Sequence, residues 1–379
     1  MSNIFLSVFF MFVFRLGSLN ALEQSINKNR KYWEALIGGR KGSPEAIGYA
    51  LNRCSLDSLR TILRQVAHAA KRRKALRRHH FHGGRWVAAI DGHEVNASRK
   101  RCCEQCSVRE LKTNEGIVLE YYHRVVVLQM VDVNPPMILD VEPIMPGEGE
   151  VAAAMRILDR IAKHYRRFLD VITADALYLQ APFVKRALEH GLHLVIVLKQ
   201  EERDLYKDVH GLLKVTKPIC IEEDCRSNSQ LWDIEGLETW KQVGLPVRVV
   251  RSFETKRKRE RIGRKWVEKT MISDWLWVTT LSASQAPCNL IVRWGHARWD
   301  IENRGFNELS QHWAMDHFFY HELNAIVAFL LILALAFVLT IFFFDRNLKP
   351  QARKGCTRLF LASQLLKGLS GLPFPVRAP

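Results

Sequence analysis

Asp175 closes the apolar run "LDVITAD", and Asp91 closes another, "RWVAAID". A carboxylate at the end of an apolar strand is partly buried, which disfavours its ionised form. A divalent cation reverses that penalty, because it favours the charged form and takes hard oxygen ligands. The pattern therefore points to metal-assisted chemistry and asks where the remaining ligands come from. Taken singly, each aspartate also has a plainer role. Asp91, before Gly92, suits a turn at a strand end, and Asp175 suits the cap of a following helix. A second ligand type is present in "RCCEQC", where Cys103 and Cys106 form a Cys-x-x-Cys pair, and Cys220 and Cys225 offer two more thiolates for zinc. The spacings are irregular and no second Cys-x-x-Cys exists, so free thiols are the expectation.

The elements that must carry the two aspartates can be read from periodicity. From Leu16 to about Leu76 the chain reads as helical, with Ser18 and Ser55 as N-caps and Leu56, Leu59, Ile62, Leu63 and Val66 at helical spacing. Gly83 and Gly84 end that region. "RWVAAIDGHEV" (Arg85 to Val95) then reads as a strand, and Tyr121–Val133 and Met137–Ile144 as an antiparallel pair. Gly149–Phe168 is an amphipathic helix, "LDVITAD" a strand, "APFVKRALEHG" a helix stopped by Gly191, and "LHLVIVLK" a strand. Strand–helix–strand crossovers imply a mixed sheet with parallel members covered on both faces. The order matches a ribonuclease-H-like sheet, in which the strands ending at Asp91 and Asp175 are neighbours. From Glu201 to about Pro287 short β-like pieces alternate with charged loops, reading as a β-rich insertion. A long helix is expected over Asn289–Trp313.

Composition sets the class of partner. The chain has 379 residues, 48% of them apolar, enough for two to three domains or one large domain with an insertion, and incompatible with a disordered tail. The net charge of +17 favours a polyanion. Basic residues cluster in "KRRKALRRHHFHGGR", which holds Lys71, Arg72, Arg73 and Lys74; in "ETKRKRERIGRKW", which holds Lys256, Arg257, Lys258 and Arg259; and in "SRKR". Eight cysteines in so long a chain do not make a disulfide scaffold, and reduced cytosolic thiols fit better. Ile4–Phe14 has the length of a signal-peptide core, but no Lys or Arg precedes it and no small-residue cleavage site follows, so a secretory signal is not expected. Ala325–Phe344 is twenty uncharged residues, and hydropathy alone would make it a membrane span.

"AIDGHE", "ITADALYLQAPFVKRALEHGLHLVIVLK" and "RWDIENRGFNEL" together resemble the catalytic blocks of DDE transposases of bacterial insertion sequences. More narrowly, they resemble the cut-and-paste group with a β-strand insertion ahead of the catalytic Glu. The resemblance runs from the helical N-terminal region through the C-terminal apolar segment. It implies that Asp91, Asp175 and Glu302 are the catalytic, metal-holding triad, with two Mg2+ ions expected and Mn2+ as an alternative. On a helix, Glu302 would share its face with Arg298 and Phe306. Arg298 would grip a phosphate and Trp299 would stack on a base displaced from the duplex. Two positions depart from the family pattern: Gly295 stands where a Tyr is usual, and Leu309 and Ser310 where a Lys is usual. His93, Glu94, Glu148 and Glu150 are further polar residues with no assigned role.

The implied organisation is an α/β fold, a ribonuclease-H-like mixed sheet flanked by helices. It comprises a helical DNA-binding region over residues 1–83, a catalytic domain over 84–345 with its β-rich insertion at 200–288, and a basic tail over 346–379. The implied function is cleavage of element ends and strand transfer into target DNA by a homodimer acting in the cytoplasm. Terminal inverted repeats and target DNA are the partners, and no small-molecule substrate is involved. Similar enzymes bury an apolar helix after the catalytic Glu, so Ala325–Phe344 is expected in the core rather than in a membrane. The alternatives are a decayed transposase that only binds ends, a membrane protein anchored at 325–344, and a nuclease without strand joining.

Overall fold

The computed structural model describes residues 2–369 apart from 41, 79–83, 115, 166, 202, 224–226, 264 and 318. The helices α1 (Ser2–Val13), α2 (Leu19–Lys28), α3 (Arg30–Ile37), α4 (Pro44–Asn52) and α5 (Leu56–Arg72) come first. Strands β1 (Arg77–Arg78), β2 (Val87–Ser98), β3 (Ser107–Thr113), β4 (Gly116–Val131), β5 (Val133–Asn134) and β6 (Met137–Ile144) follow, then α6 (Glu150–His164), β7 (Val171–Ala174), α7 (Ala181–Glu189) and β8 (His193–Val197). Next come α8 (Asp204–Leu213), β9 (Cys220–Glu223), β10 (Ser227–Leu237), β11 (Val247–Ile262) and β12 (Lys265–Thr279). The chain ends with α9 (Cys288–Ala297), α10 (Asn307–Trp313), α11 (Leu323–Phe342), α12 (Pro350–Arg353) and α13 (Arg358–Leu369). These elements fall into two compact units, the first made of residues 1–79, 91–157 and 300–379, the second of 80–90 and 158–299.

In the first unit the N-terminal helices start where the sequence provides caps. The Ser18 hydroxyl accepts from Ala21 N at 3.1 Å and the Ser55 hydroxyl from Ser58 N at 3.3 Å. On α5 the buried face is Leu63, Ala67 and Ala70, and the expected core residue Ile62 is exposed. Small residues face inward there, so the helix approaches its neighbours closely. Arg60 anchors α5 to β6 through Asp140 at 3.0 Å and Glu142 at 3.0 Å. The antiparallel ladder of β4 and β6 runs from Arg124↔Ile144 to Met130↔Met137, and β3 adds a hairpin to β4 that the sequence reading lacked. Residues Val125–Val131 are buried without alternation, as in a strand covered on both faces.

One covering element is α11. It is long and apolar enough to cross a membrane, yet 83% of its most apolar window is buried inside the protein, against α1, α4, α5 and β6. The Asn324 amide caps the end of α4 by donating to the carbonyls of Leu51 and Asn52, both at 2.9 Å. A helix apolar all round needs such an all-round apolar environment.

In the second unit the order is β2–β7–β8–β12–β11–β10–β9, with β2–β7 and β7–β8 parallel and the remaining pairs antiparallel. This mixed sheet carries α7, which opens with Pro182, and α9, whose Leu290, Ile291 and Trp294 are buried. The region read as short strands and charged loops is regular. The basic run starts in β11 and ends in β12, and the two strands pair from Arg248↔Thr279 out to Ile262↔Lys265. Its high charge hid a strand because both faces of the distal hairpin are solvated. The expected single helix over 289–313 is also interrupted: α9 and α10 are separated by a π-helical turn over Ile301–Phe306.

Candidate active site

In the second unit, residues Val87–Ala89 of β2 pair in parallel with Val171–Thr173 of β7. The last registered pair, Ala89↔Thr173, lies two residues before Asp91 on one strand and two before Asp175 on the other. Val87–Ile90 and Val171–Ala174 are all buried, so each carboxylate follows a rigid apolar stretch: Asp175 comes just past β7, whereas Asp91 lies within β2, which runs on to Ser98 instead of turning at Gly92 as the sequence allowed. Asp175 is half-buried, and its Oδ1 accepts from Leu177 N at 2.8 Å, capping a short 3-10 turn. The capping role and a metal role are compatible, because a carboxylate has lone pairs for both.

Asp91 and Glu302 belong to the first unit, and both are half-buried. Their elements meet through side chains two and four residues on. His93 stacks on Phe306 with ring centroids 4.4 Å apart and planes at 21°. Residues i and i+2 of a strand share a face, so Asp91 lies on the face that His93 presents to the Glu302 turn. The His93 ring is held in turn by Asp316, with Nε2 and Oδ1 2.9 Å apart. Burial acts to raise the Asp316 carboxyl, but hydrogen bonds from His93 and Ser310 outweigh it and hold it below the ordinary carboxylate range. Gly92 leaves room for another carboxylate: a Cβ there would stand 2.8 Å from Glu150 Oε1 and closer still to Oε2.

Glu302 sits in the π-helical turn rather than in a regular α-helix. A π-turn inserts an extra residue into the helix and is frequent at functional sites. Here Gly305 is its inner surface, and a Cβ would lie 3.2 Å from Gln129 Cδ and closer to its Oε1. Gln129 is fully buried and its Nε2 donates to Asp300 O at 3.1 Å. Arg304 holds the far side through Val133 O and Asn134 Oδ1, each at 3.2 Å. The turn therefore replaces the simple i−4 and i+4 face expected around Glu302.

Arg298 and Trp299 close the second unit's helix. Arg298 is 9% exposed with its guanidinium carbon 5.6 Å from the Trp299 ring centre. Trp299 is half-buried in an aromatic cluster, 4.8 Å from Trp275 and 5.3 Å from His296 between ring centres. His296 Nε2 lies 2.6 Å from Glu254 Oε1. That contact, with Lys256 and Ser252 adding to it against burial, holds the Glu254 carboxyl down at about 2. Gly295, where a Tyr was expected, lies against the buried indole of Trp277: a Cβ would be 2.6 Å from Cδ1 and closer to Nε1 and Cε2. Leu309, at the expected Lys position, is 1% exposed.

The basic residues separate by element. Lys71 is half-buried and Arg72, Arg73 and Lys74 are exposed at the end of α5. Lys256, Arg257 and Arg259 are exposed on β11, with Trp266 69% exposed across the ladder; the side chain of Lys258 lies outside the described ones. Two of the unassigned acids prove structural. Glu94 receives Arg109 at 2.7 and 2.8 Å, and Glu148 pairs with Arg156. Sequence reasoning missed His93 as the brace of the Asp91 strand; its i+2 spacing from Asp91 was the available signal.

No curated protein matches the chain. The family model of the transposase DDE domain matches residues 82–339, a stretch that contains Asp91, Asp175, Glu302, Arg298, Trp299 and the basic hairpin. Since that match covers well over half of the sequence, the chain belongs to the transposase DDE domain family, whose members act on DNA and generally use divalent metal ions.

Proposed function

We propose that the protein is a cut-and-paste transposase of ribonuclease-H-like fold that cleaves the ends of its own element and joins the resulting 3′-hydroxyls to target DNA. The observation that supports this reading is the parallel register of Val87–Ala89 with Val171–Thr173, the stretches of β2 and β7 that lead to Asp91 and Asp175. Glu302, on the π-turn, is the third carboxylate of this reading. The donor set fits magnesium, with manganese as the alternative: all three candidates are half-buried carboxylates offering hard oxygens. Two bound ions would supply the Lewis acidity that activates an attacking hydroxyl and stabilises the leaving oxygen.

The chain's own residues do the rest. Asp91 and Asp175, fixed on buried strands, hold their carboxylates without reorganisation. His93 and Asp316 keep the Asp91 strand against the Glu302 turn. Arg298 neutralises a backbone phosphate, and the exposed basic residues of α5 and of the β11–β12 hairpin grip DNA, with Trp266 offering a stacking surface. Trp299, already in ring contact with Trp275 and His296, stacks on a displaced base. The terminal inverted repeats and target DNA are the partners, a dimer holds two ends together, and the reaction takes place in the cytoplasm. Residues 1–83 form the helical DNA-binding region, 84–345 the catalytic domain with its insertion at 200–288, and 346–379 the basic tail.

The test is cleavage of a labelled duplex carrying the element's own end, with Mg2+, by the wild type and by Asp175→Ala. Metal-dependent nicking that disappears in the variant supports the triad. Salt-sensitive binding with no cutting by either protein identifies a decayed, end-binding transposase, a reading that Gly295 and Leu309 motivate.

A further inference from the structure

The first unit contains a second cluster with the chemistry of a metal ligand set, and the proposed DNA reaction does not use it. Cys103 and Cys106 lie in the connection between β2 and β3, His123 on β4, and His321 just before α11. Their ligand atoms all lie within 4.8 Å of one another. Cys103 Sγ and Cys106 Sγ are 3.8 Å apart, and each is 3.5 Å from His123 Nε2. Cys106 Sγ is 2.9 Å from His321 Nε2.

These separations can be compared with a tetrahedral zinc ion. With Zn–S about 2.3 Å and Zn–N about 2.0–2.1 Å, tetrahedral angles place two sulfurs about 3.8 Å apart and a sulfur and a nitrogen about 3.6 Å apart. Three of the four observed distances match within about 0.1 Å, and the fourth would open by about 0.7 Å on binding. A disulfide does not explain the pair, because bonded sulfurs stand about 2.05 Å apart.

We propose that Cys103, Cys106, His123 and His321 form a closed Cys2His2 zinc site. Four protein ligands leave no open position, so the ion is structural rather than catalytic. Its soft thiolates and imidazoles also separate it chemically from the all-oxygen triad, since magnesium does not compete for sulfur. The Cys103 backbone N–H donates to Cys106 Sγ at 3.3 Å, a contact that would moderate thiolate charge. The ion would tie the β2–β3 connection and β4 to the segment between α10 and α11. That segment also carries Asp316, the partner of His93.

The experiment is metal analysis of the full-length protein after dialysis, together with replacement by Co2+. The wild type, Cys102→Ser and Asp91→Asn should each retain about one zinc per chain, and Cys103→Ser/Cys106→Ser should retain less than about a tenth of that. Cys102 is exposed and outside the cluster, and Asp91→Asn separates this site from the carboxylate triad. The Co2+ form of the wild type should show sulfur-to-cobalt charge transfer and the intense visible bands of tetrahedral coordination. His321→Cys should keep the metal and strengthen the charge transfer. Zinc undiminished in the double serine variant would overturn the proposal. So would a wild type that binds no zinc, carries a Cys103–Cys106 disulfide, or gives only weak octahedral cobalt bands. If the serine variant does not fold, the wild-type cobalt spectrum still decides.

Discussion

Gly295→Ala tests whether the departure from the family pattern at this position is a packing solution. An added Cβ would stand 2.6 Å from Trp277 Cδ1 and closer to two other atoms of the indole, against the roughly 3.5–4.0 Å of a normal contact. At least ~1 Å of movement is therefore required. Trp277 is 1% exposed and its strand, β12, is paired on both sides, so the ring cannot simply rotate into solvent. Overpacking of this kind costs about 1–3 kcal/mol, and a rigid indole places it at the upper end. The alanine recovers about 1 kcal/mol of helix propensity in α9. The net loss is about 2 kcal/mol, which lowers the urea midpoint by ~0.7 M if the slope is ~3 kcal/mol/M. Unfolding followed by far-ultraviolet circular dichroism, with Gly295→Ala also placed in a Trp277→Leu background, isolates the contact. With the indole gone the alanine should be neutral or stabilising, giving a coupling of about 2–3 kcal/mol. A variant as stable as the wild type, or an equal loss in both backgrounds, would refute the packing account.

Further outcomes follow from other contacts. His93→Ala should lower stability by about 1–2 kcal/mol through loss of the Phe306 stack and the Asp316 bond; single-turnover cleavage should slow in parallel, and unchanged cleavage would remove His93 from any positioning role. Glu254 is held at about 2 in the folded protein, below its unfolded value, so its stabilising contribution is complete above about pH 4.5 and is lost as pH falls towards 2. Acid titration of the wild type against Glu254→Gln should show their stability difference shrinking across that window; a constant difference would contradict the assignment. The double variant Arg257→Ala/Arg259→Ala removes two exposed basic side chains of β11. The slope of log affinity for duplex DNA against log salt should become shallower by about 2, and an unchanged slope would exclude this hairpin from the phosphate contacts.

What the sequence legibly contained was local. The runs that close at Asp91 and Asp175 read as strands because β-type apolar residues stop abruptly at a charge, and both are strands, although β2 continues past Asp91 to Ser98 and only β7 stops before its aspartate. The caps Ser18 and Ser55, the stop at Gly191 and the uniform apolarity of α11 are likewise properties of a few neighbouring residues. A charge pattern misled where both faces of a strand meet water, as on the distal β11–β12 hairpin, because no alternation marks it. Nor could helical period reveal the π-turn at Ile301–Phe306, in which Gly305 passes close to the buried Gln129.

Tertiary structure alone decided the rest. Cys103 and Cys106 announce a ligand pair, but the side chains that meet them are His123 and His321, the latter 215 residues beyond Cys106; of the two further cysteines weighed as ligands, Cys225 lies outside the described residues. The space at Gly295 is filled by an indole from β12, and the strand of Asp91 is braced by a ring four residues past Glu302. Periodicity reports which face of an element is buried; it carries no information about which distant side chain meets that face, and chemistry at a site depends on that meeting.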